Sequence, residues 1–130
     1  MPKLPANVTD LELTILQQIW EAGSPQTVNQ ILASWPGKTL PGYTTVLKTL
    51  QKMEAKGVVA HQEEGRRYAY SSRVDRSEIA QRRLTTIVDR MFRGNRVSFA
   101  QYFIESSELS ADELGELKRL IARLQKEESK

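Results

Sequence analysis

The sequence predicts a mainly α-helical protein with one small β-hairpin. Three observations support this fold class. Three segments in the first half of the chain show apolar residues at helical spacing, and the first two open with a clear start signal. The apolar pattern then changes to period two on either side of a glycine, which is typical of a hairpin. Beyond residue 74 the pattern is helical again to the end of the chain.

The first two helices open with capping boxes, in which a threonine caps the first turn and the residue three positions later reaches back. Thr9 to Glu12 form the first box, which predicts helix 1 over residues 9–22. Thr27 to Gln30 form the second box, and Trp35 is the last apolar residue of helix 2. We expect Trp20 and Trp35 to fill the core between these two helices.

Helix 3 is predicted from Tyr43 to about Lys56, with Gly57 as its C-terminal cap. At about 100° per residue, its apolar side chains fall on one face and anchor the helix. The opposite face has lysines, hydroxyls and an amide, but no acid. The apolar face comprises Val46, Leu50 and Met53, and the polar face comprises Thr44, Thr45, Lys48, Gln51 and Lys52.

A hairpin follows helix 3. Val58–His61 and Tyr68–Tyr70 are predicted as short strands, and residues 62–67 as a turn with a central glycine and two arginines, Arg66 and Arg67, at its tip. We expect His61 to be an ordinary strand residue rather than a metal ligand or a base. Three helices followed by a hairpin with a basic tip is the element order of a winged helix-turn-helix.

The second half contains two clear helix starts, at Asp75–Glu78 and at Ser110–Glu113, with a short aromatic segment at 98–104 between them. About 50 residues are too few to bury much apolar surface unaided. We therefore divide the chain into a winged-helix domain, residues 1–73, and a helical dimerisation region, residues 74–130. The residues expected at the dimer interface are Leu84, Ile87, Val88, Met91, Leu114, Leu117, Ile121 and Leu124.

The alternative for this region is that its helices pack on the winged helix within one monomer. We favour the dimer because a protein that binds a DNA groove usually works as a two-fold dimer.

Composition excludes several classes of function. The chain has no cysteine and one histidine, which excludes disulfides, thiolate metal sites, thiol catalysis and a His-rich zinc site. No nucleophile elbow or glycine-rich phosphate loop is present, so we expect neither an enzyme nor a cofactor. No apolar run approaches the length of a membrane span, and Met1–Pro5 does not resemble a secretory signal. We expect a cytoplasmic protein without membrane insertion.

The positive charge is concentrated in the middle of the chain. Residues 36–73 contain seven Lys and Arg against three acids, whereas residues 1–35 contain one basic residue and three acids. This distribution favours a polyanionic partner for the middle of the chain. In a helix-turn-helix the second helix enters the major groove of duplex DNA, where every base pair shows a different edge. Lys48 and Lys52 are one turn apart and can reach phosphates or guanine acceptors.

The remaining predicted contacts lie at the ends of this surface. The hydroxyls of Thr44 and Thr45 can donate to a phosphate near the helix start. Arg66 and Arg67 suit the adjacent DNA backbone or minor groove. We therefore expect double-stranded DNA as the partner.

Several segments resemble the BlaI/MecI penicillinase-repressor family. Residues 8–12 (Val-Thr-Asp-Leu-Glu), ending in Ile19-Trp20, are similar to the helix-1 signature of that family. Residues 44–57 resemble its recognition helix in Thr44-Thr45-Val46, Leu50, Lys52-Met53 and Lys56-Gly57. Residues 65–70 resemble its wing, and Leu109-Ser110 through Leu117 its last helix.

The resemblance implies a winged-helix repressor that binds a palindromic operator as a homodimer, with Thr44, Thr45, Lys48, Lys52, Arg66 and Arg67 on its DNA face. Family members with a membrane metallopeptidase receptor are inactivated by a cut in the dimerisation region. The resemblance places that cut at Tyr102-Phe103, where this chain has tyrosine instead of the asparagine of the family. A receptor of that kind, or a protease downstream of it, is thus an implied partner. The copper-responsive branch uses cysteines, which this chain lacks.

Two other functions are compatible with the residues. One is a winged-helix regulator that senses a ligand in a pocket lined by Phe92, Phe99, Tyr102 and Phe103. The other is a winged helix that only binds proteins. Loss of DNA affinity with added salt, and on substitution of Lys48 and Lys52, would distinguish DNA binding from the second alternative.

Overall fold

The computed structural model describes residues 8–129, so Met1–Pro5 lies outside the described part. The described chain is mainly helical with one two-stranded antiparallel sheet, which confirms the predicted fold class. By its contacts the chain divides into two units, the first ending at Arg83 and the second beginning at Leu84. The elements are α1 (Asp10–Ala22), α2 (Val28–Ala33), α3 (Tyr43–Ala55), β1 (Val59–Glu64), β2 (Arg67–Ser72), α4 (Arg76–Phe92), α5 (Arg96–Ser106) and α6 (Ala111–Glu128).

Both predicted capping boxes of the first unit are formed. The Thr9 hydroxyl accepts from the Glu12 amide at 3.2 Å, and the Glu12 carboxylate accepts from the Thr9 amide at 2.8 Å. Thr27 and Gln30 form the same pair of bonds at 3.2 and 2.9 Å. Helix α2 ends at Ala33, two residues before Trp35. The predicted helix 2 was too long because the proline after Trp35 disfavours helical backbone at that residue.

The core of the first unit lies between α1, α2, α3 and the base of the hairpin. The apolar face predicted for helix 3 is confirmed, since Val46, Leu50 and Met53 are fully buried. The other large side chains of this core are Ile15, Leu16, Ile31, Val58, Val59 and Tyr70. Burial on this scale fixes α3 by one face and leaves its other face to solvent.

The prediction that Trp20 fills the core between helices 1 and 2 is wrong. Its indole N–H donates to the Ser72 hydroxyl at 3.0 Å and to the Val74 carbonyl at 3.2 Å, at the end of β2. The Arg76 guanidinium lies over the ring, 5.5 Å from its centroid. An indole N–H needs an acceptor when it leaves water, and the end of β2 supplies one. Trp35 is half-buried at the edge of the core.

The hairpin is longer than predicted and its turn is tighter. β1 continues to Glu64 and β2 begins at Arg67, so only Gly65 and Arg66 form the turn, instead of the predicted residues 62–67. Gly65 has φ +67°, a conformation that side chains disfavour and that one common two-residue hairpin turn requires at its first position. The glycine therefore lets two complete strands pair on either side of it.

The second unit is helical. The segment predicted only as aromatic is the helix α5, whose N-cap Asn95 accepts from the Ser98 amide at 2.9 Å. The Ser110 box at the start of α6 is formed as predicted. In the described chain neither α5 nor α6 has a buried residue. No helix within residues 8–129 is long and apolar enough to cross a membrane.

Candidate nucleic-acid interface

The polar face of α3 is exposed along its whole length. Thr44, Thr45, Lys48, Gln51 and Lys52 all lie on this exposed face, as predicted from their helical spacing. On the opposite side the three buried residues fix the helix to the core. The five polar side chains are therefore presented on a rigid element while staying accessible to a partner.

The N-terminus of α3 adds hydrogen-bond donors to this face. Its N-cap is Gly42, no side chain of the described residues caps it, and its first turn contains no acid. The amides of the first turn of a helix lack intrahelical acceptors, and the helix dipole makes this end partly positive. The backbone of Tyr43, Thr44 and Thr45 thus suits a phosphate oxygen beside the two threonine hydroxyls.

The wing is held against the helix-turn-helix by its base. The backbone of Tyr70 exchanges two hydrogen bonds with Gln26, in the loop before α2, at 2.8 and 2.9 Å. The Arg73 amide donates to the Val58 carbonyl at 2.8 Å. Val59 and Ala69 are buried beside them. Arg66, in the turn, lies beside a groove that residues of α2 and α3 also line.

A groove of about 450 Å³ separates the helix-turn-helix from the wing. Three of the predicted contact residues, Gln51, Arg66 and Arg67, line it. The other four, Thr44, Thr45, Lys48 and Lys52, lie on the exposed face of α3 and are not part of its lining. The lining residues are Thr27, Val28, Asn29, Tyr43, Leu47, Gln51, Glu63, Gly65, Arg66, Arg67, Tyr68 and Tyr70.

Among the polar groove residues that sequence reasoning missed are Asn29, Tyr43 and Tyr68. Signals for the two tyrosines were present. Tyr43 precedes Gln51 by two steps of four residues, so both lie on one stripe of α3. Tyr68 precedes Tyr70, which also lines the groove, by two residues, and this spacing places both on the same side of a strand. Tyr43 and Tyr68 are about half exposed, and their hydroxyls can donate hydrogen bonds.

His61 and Glu54 connect the wing to α3. The ring Nδ1 of His61 lies 2.6 and 2.7 Å from the two carboxylate oxygens of Glu54, and the His61 amide donates to the same carboxylate at 3.1 Å. The imidazole also contacts the Tyr68 ring, with 4.4 Å between centroids. Burial raises the pKa of the neighbouring Tyr70, and the charge of Glu54 raises it further, so that phenol stays neutral. His61 thus has structural contacts that its place in a strand did not predict.

Lys56, just after α3, faces the protein and not the polar face. Its ammonium donates to both carboxylate oxygens of the buried Glu12 at 2.9 Å, which joins the C-terminus of α3 to α1. Burial alone would raise the pKa of Glu12, but the Thr9 amide and the Lys56 ammonium together hold it below its ordinary value. Lys56 therefore belongs to the scaffold of the interface.

In the second unit most of the predicted interface residues are exposed. Met91 is 74% exposed, and Ile121 and Leu124 are about half exposed. Leu84, Ile87 and Leu114 are also exposed, and Leu117 is half-buried. Val88 differs because its side chain is already buried within the single chain.

The predicted cleavage pair lies within α5 and is accessible. Tyr102 is 65% and Phe103 54% exposed. The four aromatic rings that the ligand-sensing alternative would use contact one another. The ring centroid of Phe92 lies 5.6 Å from that of Phe99 and 5.9 Å from that of Tyr102, and the centroids of Phe99 and Phe103 are 6.4 Å apart. These aromatic side chains form a cluster in the second unit.

Comparison with known proteins agrees with this geometry. The penicillinase repressor family matches residues 8–123. The penicillinase repressor of Bacillus licheniformis is 26% identical over 121 residues, which span 93% of each chain. The transcriptional regulator BlaI of Mycobacterium tuberculosis strain H37Rv is 28% identical over 117 residues, covering 89% of this chain and 83% of its own.

A solved structure of the DNA-binding domain of the repressor BlaI superposes with a TM-score of 0.50 and 27% identity. It covers 60% of this chain and 93% of its own. The chain belongs to the penicillinase repressor family of transcriptional regulators, and the resemblance predicted from its sequence is confirmed.

Proposed function

We propose that this chain is a transcriptional repressor that binds a palindromic DNA operator as a homodimer, with α3 in the major groove. The observation that carries the proposal is the exposed face of α3, which combines two lysines, two threonines and a glutamine with no acid. A face of this kind suits the phosphates and base edges of duplex DNA. Repression by occupying an operator needs no catalytic group, and the proposal assigns none.

The contacts divide into two kinds. Lys48, Lys52 and the first turn of α3 hold the phosphate backbone, and Arg66 and Arg67 hold it from the wing. Gln51 is the side chain of this surface best suited to a base edge, since its amide can pair with adenine in two bonds. Because the face has one such group, each α3 discriminates sequences only modestly. Sequence specificity then comes from two half-sites held at a fixed spacing.

We assign the winged helix to residues 1–73 and dimerisation to residues 74–130. Support for this assignment comes from the apolar side chains exposed in the second unit, among them Met91, Ile121 and Leu124. On α6 the spacing of Leu114, Leu117, Ile121 and Leu124 is three, four and three residues, which is the spacing of a helix–helix seam. Val88 is left out of the proposed interface because it is already buried.

DNA binding is tested with a duplex of about 30 base pairs selected from a random-sequence pool, long enough for two half-sites. Affinity is measured by fluorescence anisotropy over a salt series. We expect a steep fall with salt, and Lys48→Ala and Lys52→Ala each reduce the slope of log K against log salt by about one unit per subunit. Lys126→Ala on α6 removes the same charge and should leave the slope unchanged. Binding that is insensitive to salt and to both substitutions contradicts the proposal.

A second proposal concerns the release of DNA. We infer that a cut between Tyr102 and Phe103 separates the winged helix from α6 and so abolishes dimeric binding. A membrane metallopeptidase receptor, or a protease downstream of it, would make the cut. Both side chains are exposed, but they lie in a helix, so the backbone must first open locally. Limited digestion with chymotrypsin tests accessibility: a first cut in α5 supports the inference, and first cuts confined to other segments oppose it.

A further inference from the structure

The wing consists of an anchored base and a projecting part. At the base Val59, Ala69 and Tyr70 are buried, and the backbone of Tyr70 is bonded to that of Gln26. All residues from 61 to 68 are exposed. A two-stranded ribbon is only marginally stable in water on its own. The direction in which Arg66 and Arg67 point therefore depends on what holds the projecting part.

The pair of Glu54 and His61 acts at the boundary between these two parts. His61 is the first exposed residue of β1 beyond the base, and Glu54 lies in the last turn of α3. Three close contacts join them, two from the ring nitrogen and one from the amide. The imidazole continues to Tyr68 on the other strand, so both strands of the projecting part are connected to α3.

The pair also determines where the acid of α3 points. Glu54 is the one acidic residue in α3, and it follows the groove residue Leu47 by two helical turns. A free carboxylate at this position would repel nearby phosphates. In the structure both of its oxygens contact His61, on the strand next to α3.

We propose that His61 and Glu54 are positioning residues for DNA binding, which fix the angle between the wing and α3. The inference rests on the proposed function. With the pair intact, Arg66 and Arg67 are already placed when α3 enters the groove. Without the pair, the projecting part of the wing moves freely in the unbound protein. It must lose this conformational freedom when DNA binds, which lowers the affinity.

Two substitutions of His61 separate the pair from the packing of the ring. His61→Phe keeps an aromatic ring on Tyr68 but removes the donor to Glu54. His61→Asn keeps an N–H at about the position of Nδ1 but removes the ring. We expect His61→Phe to weaken DNA binding about threefold for each wing, and His61→Asn to restore most of that loss. The selected duplex described above is the probe.

A double-mutant cycle identifies the route of the effect. If His61 acts through the wing, the loss caused by His61→Phe disappears when Arg66 and Arg67 are already alanine. In a Lys48→Ala background the loss remains in full. A purely structural role gives the same loss in both backgrounds, and that result overturns the proposal. The proposal is also overturned if His61→Phe binds DNA with the affinity of the wild type.

A measurement without DNA separates this proposal from the proposed function. Backbone ¹⁵N relaxation of the free full chain reports the order of residues 62–67. We expect lower order parameters there in His61→Phe than in the wild type and in His61→Asn. Failure of the wild type to bind DNA refutes the proposed function, whereas unchanged order in His61→Phe refutes the positioning role.

Discussion

The ammonium of Lys56 lies 2.9 Å from both carboxylate oxygens of Glu12, across 44 residues of sequence. Glu12 is buried, whereas the Lys56 side chain is about one-third exposed. The two ends of this ion pair therefore respond differently to substitution. When Glu12 is removed, the Lys56 ammonium can be solvated by water. When Lys56 is removed, the buried Glu12 carboxylate cannot be solvated in the same way.

Removal of Lys56 should therefore destabilise the first unit. Lys56→Ala leaves the buried Glu12 carboxylate without its cation, and we expect the free energy of unfolding to fall by about 2 kcal/mol. Urea denaturation of the full chain measures this change. Lys52→Ala, one turn earlier on the exposed face, is the matched control and should change stability by less than about 0.5 kcal/mol. Equal losses in the two variants would contradict the role of the pair.

The same carboxylate makes stability dependent on acid. The folded-state pKa of Glu12 lies below its ordinary value of 4.5, because hydrogen bonds and Lys56 outweigh the effect of burial. The stabilisation is complete above pH 4.5 and is lost as the pH falls through the lower folded value. Denaturant titrations at neutral and acidic pH should show that Glu12→Gln lowers stability at pH 7 but has little further effect in acid.

Glu113 provides the control for this pH dependence. The amide of Ser110 lowers the pKa of its carboxylate too, but Glu113 is exposed at the start of α6. Water screens its interactions, so Glu113→Gln should leave the acid dependence of the first unit as it is in the wild type. A parallel change in both variants would show that net charge, and not the buried pair, sets the pH response.

The N-cap of α2 is important because the helix has only six residues. Thr27→Ala removes the hydroxyl that accepts from the Gln30 amide, and we expect a loss of about 1 kcal/mol. Thr14→Ala removes a hydroxyl within α1 that bonds only to the Asp10 carbonyl, and should cost less. Thermal unfolding followed by circular dichroism compares the two. A larger loss in Thr14→Ala would be the unexpected outcome.

The proposed dimer interface has a direct test in the apolar stripe of α6. Ile121→Glu together with Leu124→Glu places two charges where the partner's apolar surface is expected, and a buried unpaired charge costs several kcal/mol. Sedimentation should then give the monomer mass of 14.8 kDa, against twice that for the wild type. Arg123→Glu, on the same turn but outside the stripe, should remain dimeric. A monomeric wild type would refute the interface.

Much of the fold follows from local signals. The Thr9, Thr27 and Ser110 boxes and the buried stripe of α3 depend on residues within one or two turns of each other, so periodicity alone finds them. The exposed face of α3 is the complement of that stripe and was predicted for the same reason. The tightness of the turn at Gly65 was not predicted, because strand ends are set by pairing and not by composition.

The parts that sequence reasoning missed depend on contacts between elements. Trp20 bonds to Ser72 and Val74, more than fifty residues away, and periodicity contains no information about that distance. Glu54 and His61 are close in sequence but lie on different elements, and a lone histidine in a strand gave no sign of a partner. α5 was not identified as a helix because its own apolar side chains are distributed around the helix axis, so its sequence lacks the usual amphipathic pattern.

The exposed face of α3 has a further consequence for how such repressors change their targets. Its five polar side chains make no hydrogen bond to the rest of the described chain, and the helix is anchored entirely from its other side. Substitutions on a surface of this kind usually alter stability by no more than about 0.5 kcal/mol. Under the proposed function, substitutions on this face can therefore change operator preference one residue at a time while the fold stays the same.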